Sequence, residues 1–125
     1  MADQITSYVR LTLETTNNTF ATFNLPSLKI TQNNEGLFEN TVSLTTTDTK
    51  MSITNLTTYG VGYLQNVSAT STIVILVGAD STGVIRPFYR LKWKEGWPLR
   101  FNTATTYRAQ CESSSGKLRI GVWED

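Results

Sequence analysis

The sequence contains no histidine and only one cysteine, Cys111. Histidine is the most frequent general base and a common metal ligand, so its absence removes the usual basis of acid–base and metal-dependent catalysis. A single cysteine forms neither an internal disulfide nor a thiolate metal cluster, and the strand phase it shares with Tyr107 and Ala109 predicts a buried, inert thiol. Phosphate-binding loops and nucleophile elbows are also missing. We therefore expect a protein that is not an enzyme and uses no cofactor or metal.

Long apolar runs are missing as well. The longest, from Ile73 to Val77, is far too short to cross a membrane and is typical of a strand covered on both faces. The N-terminus has neither a basic end nor an apolar stretch, so we expect no signal peptide. Charged residues make up 17 % of the chain and the net charge is +1. We therefore expect no whole-molecule attraction to nucleic acid or to an anionic membrane.

Helical spacing is absent, and apolar and polar residues alternate instead. In the clearest run, from Tyr89 to Lys94, every second residue is apolar and each residue between is a cation, which indicates a half-buried strand. About one residue in six is threonine, whose branched side chain suits strands. Such runs recur along the chain between turn residues, at the spacing of a β-sandwich or jelly roll.

The predicted fold is all-β: a single antiparallel β-sandwich, jelly-roll-like, in which residues 1–125 form one domain. We expect about nine or ten strands and no helix longer than about two turns. The turn cluster from Gln32 to Gly36 lies between strand patterns on either side, at residues 28–30 and 37–44. This arrangement predicts that those two strands pair as a hairpin.

Glycine and proline inside the strand patterns predict local irregularities. Gly60 and Gly62 indicate a bulge or a close approach of two backbones, and Pro87 indicates an edge strand or a bulge. The stretch from Gly78 to Gly83 predicts a turn. Asp80 lies in that stretch, and we expect it to serve turn geometry rather than a glycosidase-like or calcium site.

Cations and aromatic residues are concentrated together in the second half of the chain. Six of the eight cations in residues 61–125 lie between Arg86 and Arg108. Interleaved cations and aromatic rings bind single-stranded nucleic acid when both lie on one face. The alternation here instead sends Tyr89, Leu91 and Trp93 to the core and the cations between them outward. We therefore expect no nucleic-acid binding.

The outward cations predict a protein interface. Arg90, Lys92 and Lys94 are expected to share one exposed strand face that meets an acidic patch on a partner. The full predicted interface consists of Arg86, Arg90, Lys92, Lys94 and Trp97. The alternative interpretation is a solvated face without a partner, because surface charges usually need no explanation.

The tryptophans of this segment allow two interpretations. Trp93 and Trp97 could line a sugar site, as aromatic residues do in jelly-roll lectins. Their strand phase favours packing in the core instead, with Trp97 on the same face as Leu99 and Phe101.

Five short pieces in residues 59–125 follow a pattern of strand, turn and strand that ends in an acidic C-terminus. They are Gly62-Tyr-Leu-Gln-Asn66, an apolar strand ending at Val77-Gly78, Pro87-Phe-Tyr-Arg-Leu91, Lys94-Glu-Gly96 and Gly121-Val-Trp-Glu-Asp125. This pattern resembles a family of small virion proteins from tailed bacteriophages, and the resemblance covers about half of the chain.

Proteins of that family are similar to head decoration (cement) proteins, head-fibre bases and tail-associated proteins. The resemblance implies a structural role and supplies no functional residues. We expect a cement protein, made in the host cytoplasm, that binds the major capsid protein lattice on the virion surface and stabilises it as a homo-oligomer, with a trimer favoured. The alternatives are a tail or head-fibre component, and a carbohydrate-binding jelly-roll module used in host attachment.

Overall fold

A computed structural model describes residues 3–14, 19–24, 28–32 and 36–125. The regular structure of these residues consists of twelve strands and no helix, which confirms the all-β prediction for them. They accordingly contain no helix that could span a membrane. Residues 33–35 of the turn cluster predicted from Gln32 to Gly36 lie outside the described residues. The strands are β1 (Asp3–Ser7), β2 (Arg10–Glu14), β3 (Thr19–Asn24), β4 (Leu28–Gln32), β5 (Leu37–Leu44), β6 (Thr49–Lys50), β7 (Tyr59–Asn66), β8 (Ile75–Ser81), β9 (Val84–Leu91), β10 (Gly96–Arg100), β11 (Tyr107–Cys111) and β12 (Gly116–Glu124).

Eight of these strands, β5 to β12, form two antiparallel sheets of four strands each. The order is β10-β7-β12-β5 in the first sheet and β6-β11-β8-β9 in the second. The pairs are nested along the chain: β5 pairs with β12, β6 with β11, β7 with β10, and β8 with β9. The eight strands therefore pair like one long hairpin whose two arms run together through both sheets.

The buried side chains of both sheets form one hydrophobic cluster. In β7, residues of one parity are buried and the others are half-buried, as alternation predicts for a strand with one core face. Each fully buried aliphatic side chain contributes about 1.5–3 kcal/mol to folding. The cluster includes Leu44, Leu64, Leu118, Ile120 and Val122 from the first sheet, and Ile75, Val77, Leu91, Ala109 and Cys111 from the second.

The run from Ile73 to Val77 is buried on one face only, so the prediction of burial on both faces is wrong. Strand β8 begins at Ile75, and Ile75 and Val77 are fully buried, whereas Leu76 is half-buried. Leu76 lies opposite Gln110 of β11 and Arg90 of β9. The apolar residue is tolerated on the outer face because two long side chains on the neighbouring strands flank it.

The predicted irregularities at glycine and proline are confirmed. A Cβ atom on Gly62 would lie 1.9 Å from the carbonyl oxygen of Gly121, so the two backbones approach more closely than any side chain permits. Pro87 lies in β9, an edge strand of the second sheet. The register shifts beside it, with Gly78 opposite Pro87 and Val77 opposite Tyr89, which leaves an extra residue in β9 as a bulge.

The predicted hairpin between residues 28–30 and 37–44 does not form. Strand β4 pairs with β1, and β5 pairs with β12. The first four strands make two separate two-stranded sheets, β1 with β4 and β2 with β3. We call these strands, together with the residues that connect β1 to β2, the N-terminal ribbon. Ile5 lies opposite Ile30 in it. A two-stranded ribbon is only marginally stable in water, so contacts with the rest of the protein matter for its order.

One buried polar side chain joins the two sheets. Asn66, at the end of β7, is completely buried. Its side-chain Nδ2 donates to the carbonyl oxygens of Ile73 at 2.9 Å and of Leu91 at 3.0 Å, while its Oδ1 accepts from the backbone N–H of Ser68 at 3.1 Å. These bonds offset the cost of burying the amide. They also hold the end of β9 against the end of β7.

Candidate functional site

The five predicted interface residues lie on one continuous segment that connects the two sheets. Arg86 and Arg90 belong to β9, an edge strand of the second sheet, and Trp97 belongs to β10, an edge strand of the first. Lys92 and Lys94 lie in the turn between these strands. All five side chains are exposed. These five side chains are therefore open to solvent, and their role as an interface stays a prediction.

The prediction that Arg90, Lys92 and Lys94 share one strand face is wrong. Strand β9 ends at Leu91, and the next four residues form a turn in which the backbone N–H of Glu95 donates to the carbonyl oxygen of Lys92 at 3.0 Å. Lys94 adopts a positive φ of 64°, outside the range of a strand. The two lysines consequently extend from a turn, and Arg90 alone extends from the strand.

Distant backbone groups hold this turn in place. The N–H of Asn66 donates to the carbonyl oxygen of Glu95 at 2.9 Å, and the N–H of Lys94 donates to the carbonyl oxygen of Asn66 at 3.1 Å. The Glu95 carboxylate also accepts from the backbone N–H of Lys92 at 2.8 Å. Hydrogen bonds with the end of β7 therefore hold the chain in a turn where the alternating sequence pattern would have continued strand β9.

The predicted burial of the apolar side chains in this segment holds within strand β9 but not beyond its end. Leu91 is fully buried and Tyr89 half-buried, as predicted, but Trp93 is 37 % exposed and Trp97 is 36 % exposed. Neither ring is buried, so the prediction of core packing is wrong, although Trp97 lies opposite the buried Leu64 and keeps the predicted phase of Leu99 and Phe101. The Trp93 indole Nε1 donates to the carbonyl oxygen of Ser68 at 2.9 Å, and the Lys94 Nζ lies 4.2 Å from the ring centroid. Trp93 thus covers the turn from outside.

The cations of the segment differ in their partners. Arg90 forms a two-point ion pair with Glu112, with its Nε 2.6 Å and its Nη2 2.9 Å from the two carboxylate oxygens. These hydrogen bonds lower the pKa of Glu112. Among the described residues, Arg86, Lys92 and Lys94 have no carboxylate within ion-pair distance. Those three cations carry the charge that remains available to a partner.

Asp80 lies within β8 rather than in a turn, so the predicted turn from Gly78 to Gly83 is too long. The turn consists of Thr82 and Gly83, both with positive φ, which suits a two-residue hairpin. The Asp80 carboxylate accepts from Arg108 Nη1 at 3.1 Å. The charge of Asp80 is thus matched by a neighbouring strand.

Arg108 also forms an ion pair with Asp48. This pair joins the loop before β6 to strand β11 of the second sheet. Its Nε donates to Asp48 Oδ1 at 2.8 Å, and the N–H of Ile85 donates to Asp48 Oδ2 at 2.8 Å. Partial burial opposes ionisation of Asp48, but these two hydrogen bonds and the charge of Arg108 lower its pKa overall. Asp48, Asp80 and Arg108 thus all have partners within the protein.

Acid is expected to destabilise the protein, whereas pH changes near neutrality are not. The folded-state pKa values of Glu39, Asp48 and Glu112 are lowered, so their stabilisation is present above about pH 4 and is lost as the pH falls through the folded-state values. No histidine titrates between about pH 5.5 and 7. The melting temperature should be constant over that range and fall below about pH 4, less steeply in Asp48→Asn. A transition centred near pH 6.5 would contradict this expectation.

The structure brings together a cluster of aromatic side chains that was not predicted from the sequence. It lines a groove of about 380 Å³ between the N-terminal ribbon and the first sheet. Tyr63 and Trp123 lie on the outer face of that sheet, with ring centroids 6.3 Å apart. Trp97 is the one predicted interface residue that lines this groove. Its lining residues include Ile5, Thr6 and Tyr8 from the ribbon and Val61, Tyr63, Gln65, Trp97, Pro98 and Trp123 from the first sheet.

Tyr63 is held in a defined position on this sheet. A Cβ atom on Gly121 would lie 2.4 Å from the tyrosine ring, so the ring occupies the space above that glycine. The Arg119 guanidinium carbon is 5.5 Å from the ring centroid, and Arg119 pairs with Glu39. Burial raises the pKa of Tyr63, while hydrogen bonding to Arg119 lowers the pKa of Glu39. The ring is thus supported from below and along one side.

A local signal for part of this groove exists in the sequence. Tyr63 and Trp123 have the opposite strand phase to the buried Leu64 and Val122, so alternation places both rings on the outer face. Their mutual proximity comes from the pairing of β7 with β12, which has no local signal.

Other chemistry is not assembled in the described residues. They contain no group of three or more cysteine or carboxylate side chains that could hold a metal ion. Cys111 is buried, as predicted, and burial raises the pKa of its thiol, which disfavours the reactive thiolate. Comparison of the chain with protein-family models, with curated proteins and with solved structures gave no match.

Proposed function

We propose that this chain is a structural protein of a bacteriophage virion: a capsid decoration (cement) protein that binds the major capsid protein lattice and stabilises it. The observation that carries the proposal is the nested pairing of β5 to β12 across two four-stranded sheets with a common hydrophobic cluster. This order supports a single antiparallel β-sandwich of jelly-roll topology. Viral capsid proteins and lectins share that architecture.

The physical basis of the proposed role is mass action. A protein that binds only the assembled shell stabilises that state by its binding free energy. A homotrimer that contacts several capsid subunits at once gains further through avidity. Neither catalysis nor a cofactor enters this role, and neither nucleic acid nor a membrane is a partner in it. The proposed location is the capsid surface.

The edge strands of the two sheets suit contact through side chains. Pro87 lies in the edge strand β9 and Pro98 in the edge strand β10. Proline withholds a backbone donor, so these edges are poor templates for adding further strands. Arg86, Lys92 and Lys94 lie on or between the same edges. In the proposed complex they steer binding toward an acidic patch on the lattice and set its register more than its affinity.

Two alternatives from the sequence analysis remain. A tail or head-fibre component would use the same fold at a different place in the virion. A carbohydrate-binding module used in host attachment is favoured by a specific observation, the groove lined by Trp97 and Trp123. The location of the protein in the particle separates the first alternative from the cement role.

Rebinding to depleted particles tests the cement role. Virions purified from a culture that produces the chain should contain it in many copies on the head and should become less stable when it is stripped off. Purified protein should rebind, and Arg86→Ser/Lys92→Ser/Lys94→Ser should rebind more weakly. The wild-type interaction should weaken with added salt because exposed charges are screened over about 8–10 Å at physiological ionic strength.

The matched control carries the same charge change elsewhere. Lys29→Ser/Lys50→Ser/Lys117→Ser removes three exposed lysines outside the segment and should rebind like wild type. Location of the protein on the tail would favour the tail alternative. Absence from purified virions would contradict the proposed function altogether.

A further inference from the structure

We infer that the groove between the N-terminal ribbon and the first sheet is a binding site for a neutral saccharide. This inference concerns a different surface from the one that carries Arg86, Lys92 and Lys94, and it does not depend on attachment to a capsid. It arises from side chains that are far apart in sequence, between Ile5 and Trp123, and that the fold gathers around one groove. A volume of about 380 Å³ lies in the range of small-ligand sites.

The lining of the groove selects the chemical class of its ligand. None of its described lining residues is charged; besides the aromatic residues, they include Thr6, which has a hydroxyl group, and Gln65, which has a carboxamide. A phosphorylated or carboxylated ligand would leave its charge unpaired there. A neutral pyranose has both complementary features: an apolar C–H face that packs on the negative face of an aromatic ring, and hydroxyl groups that bond to amides and hydroxyls.

The platform is formed before any ligand arrives. Tyr63 is positioned by the missing side chain of Gly121 below it and by Arg119 beside it, and Trp123 lies against it. A site that needs little ordering on binding loses less free energy to side-chain entropy. Tyr8, on the ribbon side, is 79 % exposed. It supplies an aromatic surface at the rim that remains uncovered in the free protein.

Two tryptophans, Trp123 and Trp93, allow a sharp test. Trp123 lines the groove beside Tyr63, whereas Trp93 lies outside it. Isothermal titration calorimetry with cellotetraose, chitotetraose and maltotetraose should show binding of at least one of them to the wild-type protein. Trp123→Ala should weaken that binding by about tenfold or more, as for an aromatic anchor, whereas Trp93→Ala should leave it unchanged.

A second variant separates loss of binding from loss of structure and from the capsid role. Tyr8→Ala changes a side chain that is mostly exposed and lies outside the predicted partner interface. It should weaken saccharide binding while retaining the wild-type melting temperature and the wild-type rebinding to stripped particles. Failure of particle rebinding in the wild type would contradict the cement role and leave this inference standing.

Three results would overturn the saccharide site. The first is the absence of binding of all three probes to the wild-type protein at millimolar concentration. The second is equal weakening by Trp123→Ala and Trp93→Ala. The third is a dimer, detected by sedimentation velocity and abolished by Tyr8→Ala, in a protein that binds none of the sugars, because a second copy would then occupy the groove.

Discussion

Gly62→Ala is expected to prevent folding or to lower the free energy of unfolding by more than about 4 kcal/mol, an exceptional value for one methyl group. The added Cβ atom would lie 1.9 Å from the carbonyl oxygen of Gly121 and 2.9 Å from the buried ring of Phe101. The closest contact is a backbone atom of the paired strand β12, which cannot rotate away as a side chain can. Relief therefore requires separation of two strands in the first sheet. Chemical denaturation followed by circular dichroism measures the change.

Gly83→Ala is the matched control for that experiment. Gly83 has a φ of 84°, but no atom lies within 4 Å of an added Cβ there. Its substitution tests backbone conformation without overlap and should cost about 1–2 kcal/mol. If Gly62→Ala were no more destabilising than Gly83→Ala, β7 and β12 would not approach as closely as described.

Ile75→Asn is expected to lower the free energy of unfolding by about 4–6 kcal/mol and so to unfold most of the protein. Ile75 is fully buried in the hydrophobic cluster. Loss of a buried aliphatic side chain costs about 2–5 kcal/mol, and an amide buried without a partner adds about 1–3 kcal/mol. Thermal unfolding monitored by circular dichroism is the appropriate measurement.

The neighbouring residue provides the control for this substitution. Leu76→Asn makes a comparable change one position along β8, on the half-buried outer face. The amide there reaches water, so the cost should be about 1 kcal/mol. Equal destabilisation by the two variants would mean that both faces of β8 are buried, as the sequence pattern alone predicted. An unchanged melting temperature for Ile75→Asn would exclude β8 from the core.

Alternation predicted the features that depend on the direction of a side chain from its own strand. It identified the all-β class, the burial of Leu91 and Cys111, and the irregularities at Gly62 and Pro87. These predictions succeed because successive side chains in a strand point to opposite faces, and because glycine and proline change the backbone at their own position. Such properties are local, so a single sequence contains them.

The end of each alternating run is not a local property. The pattern from Tyr89 to Lys94 continues unbroken in the sequence, yet β9 ends at Leu91. Two backbone hydrogen bonds with Asn66, more than twenty residues earlier, hold the turn that follows. Because the chain turns there, Trp93 is exposed, and the two lysines do not share the strand face of Arg90. The predicted cationic face therefore failed because the structure that ends the strand comes from another part of the chain.

Alternation along the sequence was enough to predict that this protein is built from strands and which side chains in most strands face the core. The pairing of the strands, the ion-pair partners of the described cations and the gathering of aromatic rings in the groove became evident only in three dimensions. Strand β5 pairs with β12 at the other end of the described chain, and Tyr63 and Trp123 meet through the pairing of β7 with β12. Side-chain direction follows from the backbone of one strand, whereas pairing follows from contacts between residues distant in sequence.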